Sequence, residues 1–151
     1  MDAKSLLTLT LQVAFDKMLD IGAVPAGRRR IAPILGGTFE GERLKGAVLP
    51  GGADWVINRP DGVMVVDVRL TLETDDKALI YLTYQGRFVA APETMKRFNR
   101  GALLEDHEYS LRVIPRFECG APRYAWLNDV IAVGSGRQTA TGPIYSFYEA
   151  V

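Results

Sequence analysis

Hydrophobic and polar positions alternate with period two along much of this chain. In the N-terminal stretch Leu7, Leu9, Leu11, Val13 and Phe15 share one face, with Thr8, Thr10, Gln12, Ala14 and Asp16 between them. That spacing predicts a strand with one buried face over 5–17, not a helix. "MVVDVRLTLET" sets Met64, Val66, Val68, Leu70 and Leu72 against Val65, Asp67, Arg69, Thr71 and Glu73. "YSLRVIPRFE" sets Tyr109, Leu111, Val113, Pro115 and Phe117 against Ser110, Arg112, Ile114, Arg116 and Glu118, and Pro115 marks an edge or bulge. Shorter strands are predicted over 29–35, 37–49, 78–84, 123–127, 130–138 and 143–150. Turn signals separate them, among them Gly36-Gly37, Pro50-Gly51-Gly52, Pro60-Asp61-Gly62, Asp75-Asp76 and Thr141-Gly142. One helix is predicted over 92–100, with Pro92 at its first turn, Glu93 favouring the N-terminal dipole and Gly101 as its stop.

About eight or nine short strands with almost no helix define an all-β chain, either a sandwich or a closed barrel. Several strands are apolar on one face and mixed on the other, which favours a single antiparallel β-barrel over residues 1–151. A barrel of about eight strands fills its interior or holds one small ligand. The 151 residues suit one core, and 48% hydrophobic with 24% charged residues is ordinary for a globular chain.

Lys+Arg and Asp+Glu both number 18, so no net positive field gathers nucleic acid or an anionic membrane. The run Arg28-Arg29-Arg30 reads as a solvated edge-strand cluster. No signal-peptide pattern or long apolar run is present, and the lone Cys119 forms no intrachain disulfide; the expectation is a cytoplasmic protein. With one histidine, His107, and one cysteine, no structural zinc site is expected, and no cofactor. "GSGRQTAT" is glycine-rich, but strands flank it, so a hairpin turn is expected there rather than a phosphate cradle. His107 reads as a solvated loop residue, and Cys119 as a small buried or turn residue.

Candidate chemistry gathers elsewhere. In "GGADW" two glycines turn the chain, and Asp54 and Trp55 follow at the mouth of a strand. Asp54 either caps the turn, or sits beside an aromatic wall where desolvation raises its pKa and suits it to proton transfer. Asp67 and Arg69 share a face, as a surface pair or inside the barrel. Tyr84 shares a face with Leu82, as core or as a hydrogen-bond donor. Trp126 shares a face with Tyr124, and Asn128 follows.

The ordered set "GGTFEGERLKGAVLPGGADW", "DGVMVVDVRLTLETDD", "IYLTYQGR", "PRFECGAPRYAWLND" and "YSFYEA" resembles the domain-of-unknown-function 3237 family, also called uncharacterised protein family 0311. The resemblance runs from about residue 5 to the C-terminus. It implies a barrel of lipocalin-like or allene-oxide-cyclase-like form and no settled activity. The family pattern falls on Asp54, Asp67, Arg69 and Asn128 among other positions. Asp75-Asp76-Lys77 departs from the acid-glycine hairpin usual after Thr74.

Three functions compete. One is an isomerase, cyclase, lyase or hydratase working without metal or redox cofactor on an apolar or aromatic carbonyl compound. There Asp54 or Asp67 moves the proton, Arg69, Tyr84 and Asn128 hold developing charge, and Trp55 and Trp126 wall the pocket. The second is a non-catalytic binder of a small apolar or aromatic ligand. The third is a structural protein whose polar cluster only stabilises the barrel. Apolar outer faces predict a homodimer.

Overall fold

A computed structural model describes residues 1–151 and contains ten strands in one antiparallel sheet. They are β1 (Ala3–Val13), β2 (Leu19–Val24), β3 (Gly27–Glu40), β4 (Lys45–Val48), β5 (Gly52–Asn58), β6 (Met64–Thr74), β7 (Leu79–Ala90), β8 (Tyr109–Cys119), β9 (Ala132–Thr139) and β10 (Gly142–Ala150). Helix α1 (Pro92–Asn99) follows β7. No helix is long and apolar enough to cross a membrane.

The sheet closes on itself. The pairing runs β1-β10-β9-β8-β7-β6, reaches β3 through β4 and β5, and returns from β3 to β1. β4 and β5 occupy one position in series: β4 joins the C-terminal ends of β3 and β6, and β5 joins their N-terminal parts. The result is a closed eight-strand barrel with two extra strands. Closure satisfies the backbone donors and acceptors that an open edge would leave free.

Long β3 organises the closure. On one edge it pairs with β2 over Gly27–Ile31 and with β1 over Ile34–Glu40. On the other it passes from β5 to β4. The passage falls between Ile34 and Gly37, and the register against β1 shifts at Leu35, the extra residue between Ile34 and Gly36. A Cβ on Gly37 would lie 2.0 Å from the Thr10 carbonyl oxygen, so only glycine allows the strands to approach there. The shift also reverses the side-chain parity: Ala32 and Ile34 are buried before it, and Phe39 after it.

The predicted alternations set the interior. β6 buries Met64, Val66, Val68, Leu70 and Leu72, and β8 buries every second residue from Leu111 to Cys119. Pro115 lies where β8 pairs with β7 but no longer with β9, so its missing N–H costs no ladder bond. Helix α1 matches its prediction. Gly101 takes φ +94°, its N–H donates to the Phe98 carbonyl and the Ala102 N–H donates to the Arg97 carbonyl, which together end the helix in a Schellman motif. Phe98 then packs on Phe88 with ring centroids 4.5 Å apart, bringing α1 over one end of the barrel.

Several expectations need correction. Residues 123–127 are not a strand; Pro122–Asp129 forms a 3-10 helix that plugs the opposite barrel end with Tyr124 and Leu127. The span 37–49 divides between β3 and β4, because residues 41–44 turn back with the Gly41 N–H donating to the Leu44 carbonyl. β1 ends at Val13, and Phe15 lies in a short 3-10 turn. Gly134–Gly136 is strand, with the hairpin turn just beyond at 140–141. There the inward Gly136 makes room for an aromatic ring: a Cβ would lie 2.6 Å from Tyr145 Cε1. Arg28-Arg29-Arg30 is not on a sheet edge, because β2 and β5 flank it.

Candidate active site

β5 alternates like its neighbours. Asp54 and Val56 face the barrel interior, and Trp55 faces outward. The ladder between β5 and β6 pairs Asp54 with Val68 and resumes at Ile57 and Val65. In the gap, the Asp67 backbone N–H donates to Asp54 Oδ1 at 2.9 Å. The carboxyl group thus replaces a ladder bond and is fixed at the wall of a cavity.

That cavity has a volume of about 520 Å³ and lies at the barrel end covered by α1 and the segment after it. Of 24 residues lining it, 17 are hydrophobic, so desolvation dominates the electrostatics inside. Its only charged lining residues are Asp54 and Arg30. Burial pushes the Asp54 carboxyl up to about 7; the Asp67 carboxylate adds to this, while the Asp67 amide and Arg30 oppose it. Tyr84 and Tyr145 also line the space, with ring centroids 5.0 Å apart. Burial holds both phenols well above their ordinary range, so both are protonated donors at neutral pH. The Tyr84 hydroxyl is buried without a hydrogen-bond partner. The arrangement combines one carboxyl group poised near neutrality with two phenols and a guanidinium, in apolar surroundings.

Of the residues singled out in the sequence, the structure brings Asp54 and Tyr84 together here. It places the others elsewhere. The side chains of Asp67 and Arg69 point outward, because β6 buries its apolar face and an interior ion pair would cost desolvation that a surface pair avoids. Asp67 reaches the site through its backbone N–H. Arg69 is exposed, with its guanidinium carbon 5.7 Å from the Trp55 ring on the outer surface. Trp55 therefore lines no part of the cavity; its carbonyl accepts from Arg29 Nη1 at 2.8 Å. Trp126 lies on the 3-10 helix at the far end, with the Arg43 guanidinium 3.8 Å from its ring centroid. Asn128 Oδ1 accepts from the Cys119 N–H (2.9 Å), and Nδ2 donates to the carbonyls of Cys119 (2.8 Å) and Ala125 (3.0 Å). It clasps the end of β8 and does not converge on Asp54.

Arg30 and Tyr145 are the cavity residues that sequence reasoning missed in this role. The signal for Arg30 was its parity with the apolar Ala32 and Ile34, which the adjacent arginines obscured. Tyr145 reads as core from its parity with Phe147, and it is core as well as lining. Cys119 is buried with its Sγ donating to the Leu79 carbonyl (3.3 Å). No group of three or more His, Cys, Asp or Glu side chains is arranged to hold a metal ion.

Fold and cavity together define a closed antiparallel barrel with an acid-bearing apolar pocket at one end. The chain belongs to the family described as protein of unknown function (DUF3237), whose model matches residues 4–150. It is 32% identical over 151 residues to the UPF0311 protein RPA1785 of Rhodopseudomonas palustris, covering 100% of this chain and 97% of that one. The crystal structure of the R. palustris protein, described as a conserved protein of unknown function, superimposes with a TM-score of 0.93 at 33% identity, covering 99% and 97% of the two chains. A "beta-barrel like protein" from Acinetobacter baumannii AYE gives 0.84 at 39% identity over 98% and 94%. A structure described as an enzyme from Penicillium herquei gives 0.73 at 20% identity over 98% and 92%, a likeness of fold alone.

Proposed function

We propose that the protein is a small-molecule enzyme that moves protons with its own side chains, acting on an apolar or aromatic carbonyl compound as an isomerase, cyclase, lyase or hydratase. The observation that carries this reading is the Asp54 carboxyl, pushed to about 7 inside an apolar cavity large enough for a small ligand. A group titrating near neutral pH both accepts and returns a proton with little driving force lost in either direction. As a carboxylate, Asp54 takes a proton from carbon beside a carbonyl; the electron pair of the broken C–H bond moves onto the carbonyl oxygen. Tyr84 and Tyr145, kept protonated by burial, are the donors available to that developing oxyanion. Return of the proton at another atom completes an isomerisation; a cyclase, lyase or hydratase uses the same pair of functions. Support comes from the site and not from the barrel, which hosts unrelated activities.

The largely apolar lining favours a second reading, a protein that binds an apolar or aromatic ligand without changing it. Thermal-shift screening against aromatic ketones, lactones, phenolic acids and medium-chain acids, with mass spectrometry of each compound that shifts, separates the two. Altered mass or retention that disappears in a folded Asp54→Asn variant supports the enzyme. Unchanged ligand supports the binder, and turnover by Asp54→Asn at the wild-type rate removes Asp54 as the proton carrier.

A further inference from the structure

Arg30 carries more donors than the protein satisfies. A guanidinium has five N–H groups and a permanent charge. Here Nη2 donates to Asn58 Oδ1 (2.7 Å), and Nη1 meets only the weakly accepting Met18 Sδ (3.9 Å). Nε is buried without a partner. Arg30 joins none of the ion pairs; its strand neighbour Arg28 takes Asp20, and Asp54 is not within ion-pairing distance. Arg30 is half-buried at the wall of a largely apolar cavity, with one buried donor unpaired and no carboxylate paired with its charge.

Resting on the reading of this cavity as the working site, we propose that its ligand is an apolar carboxylic acid, bound as the monoanion with its carboxylate on Arg30 and its hydrocarbon body against the apolar wall. A carboxylate supplies two acceptor oxygens and one negative charge, which match what the guanidinium lacks. Neutral carbonyl compounds supply the acceptors without the charge. The lining adds a consequence for pH. The groups that act on Asp54 are Arg30 from β3 and Asp67 from β6. The phenols Tyr84 from β7 and Tyr145 from β10 share the lining and are themselves raised by Asp54, and α1 and the segment after it contribute no charged lining residue. With Asp54 protonated, Arg30 is the only charge in the lining; with Asp54 ionised, a second anion is repelled. Binding of the acid therefore weakens as pH rises through Asp54's titration.

The test is isothermal titration of the whole protein with octanoate and 3-phenylpropionate against their methyl esters, near pH 6 and pH 8. Wild type is expected to bind at least one acid about tenfold or more tighter than its ester, with affinity lower at the higher pH. Arg30→Met is expected to erase the preference and Asp54→Asn to flatten its pH dependence. Esters binding as well as the acids, or neither acid binding below millimolar, overturns the proposal, and this wild-type comparison decides whether or not Arg30→Met folds. The two readings fail separately. Ester preference leaves proton transfer by Asp54 standing on a neutral substrate. Acid preference with unaltered turnover by Asp54→Asn keeps the ligand class and removes the catalytic role.

Discussion

Asp54 begins in the unfolded chain as a carboxyl with a pKa near 3.8 and ends in a cavity that pushes it to about 7. The folded value is the higher, so folding takes up a proton between the two. Its contribution is fully present below the unfolded value and is lost as pH rises through the folded one, a span of about 4 kcal/mol. Asp54→Asn keeps an oxygen for the Asp67 amide and removes the titration. Urea unfolding is expected to show the variant gaining about 2–3 kcal/mol on wild type between pH 5 and pH 8. If Asp54 is the base, wild-type kcat/KM rises with pH through a step near 7; a flat profile would contradict that role. Tyr84 gives a prediction of opposite kind. Its buried hydroxyl lacks a partner, while its ring packs on Tyr145 and Phe147. Tyr84→Phe keeps the ring and is expected to stabilise by about 1 kcal/mol, read from the denaturation midpoint, while slowing any turnover that uses the phenol. Asn128→Ala frees three hydrogen bonds at the end of β8 and is expected to cost about 2–3 kcal/mol without altering ligand affinity.

Elements built on a regular period were legible, and those shaped by a neighbour were not. β6 and β8 announce themselves because one apolar face is buried along the whole strand. β2 was not foreseen as a strand, and β5 only as a strand opening near Asp54 with no bounds: β2 is short and leaves Leu19 and Ile21 exposed, and β5 carries Asp54 on its inner face. Tyr124 and Trp126 mimic strand alternation, yet the segment starts with Pro122 and coils as a 3-10 helix. There Tyr124 and Arg123 donate to Asp76, tying this plug to the β6–β7 turn. That turn departs from the acid-glycine pattern and closes with Lys77 at φ +72°. A side chain pays for the left-handed conformation, so Lys77→Gly is expected to raise the melting temperature, by about 1 kcal/mol of stability before the added entropy of glycine in the unfolded chain is subtracted. No gain would mean that the Lys77–Glu73 contact offsets the strain.

Closure is uneven around the barrel. β7 pairs with β8 from Ile80 and Cys119 to Ala90 and Tyr109, whereas β8 and β9 pair only across Leu111–Val113 and Gly134–Gly136. The seam between β8 and β9 is therefore where the barrel is expected to open first. Hydrogen exchange followed by mass spectrometry should show β9 peptides exchanging faster than those of β6 and β7; equal protection would mean that the 3-10 helix beside β8 holds the seam shut. The seam lies on the wall that carries Gly136 and Gln138, so a bound ligand touching Gln138 is expected to slow β9 exchange.

The sequence by itself determined the strands with an unbroken period of two, the one helix with its Pro92 start and Gly101 stop, and the all-β barrel. These follow from local geometry and from which face must leave water. It also marked Asp54 and Tyr84. Tertiary structure decided which faces turn inward, because a one-residue register change reverses every side chain, and β3 makes such a change at Leu35. It sent Asp67 and Arg69 outside, moved Trp126 and Asn128 to the far end, and brought Arg30 to the cavity beside Asp54. Residues 30, 54, 84 and 145 are distant in the chain, and only closure of the sheet gives them a common wall.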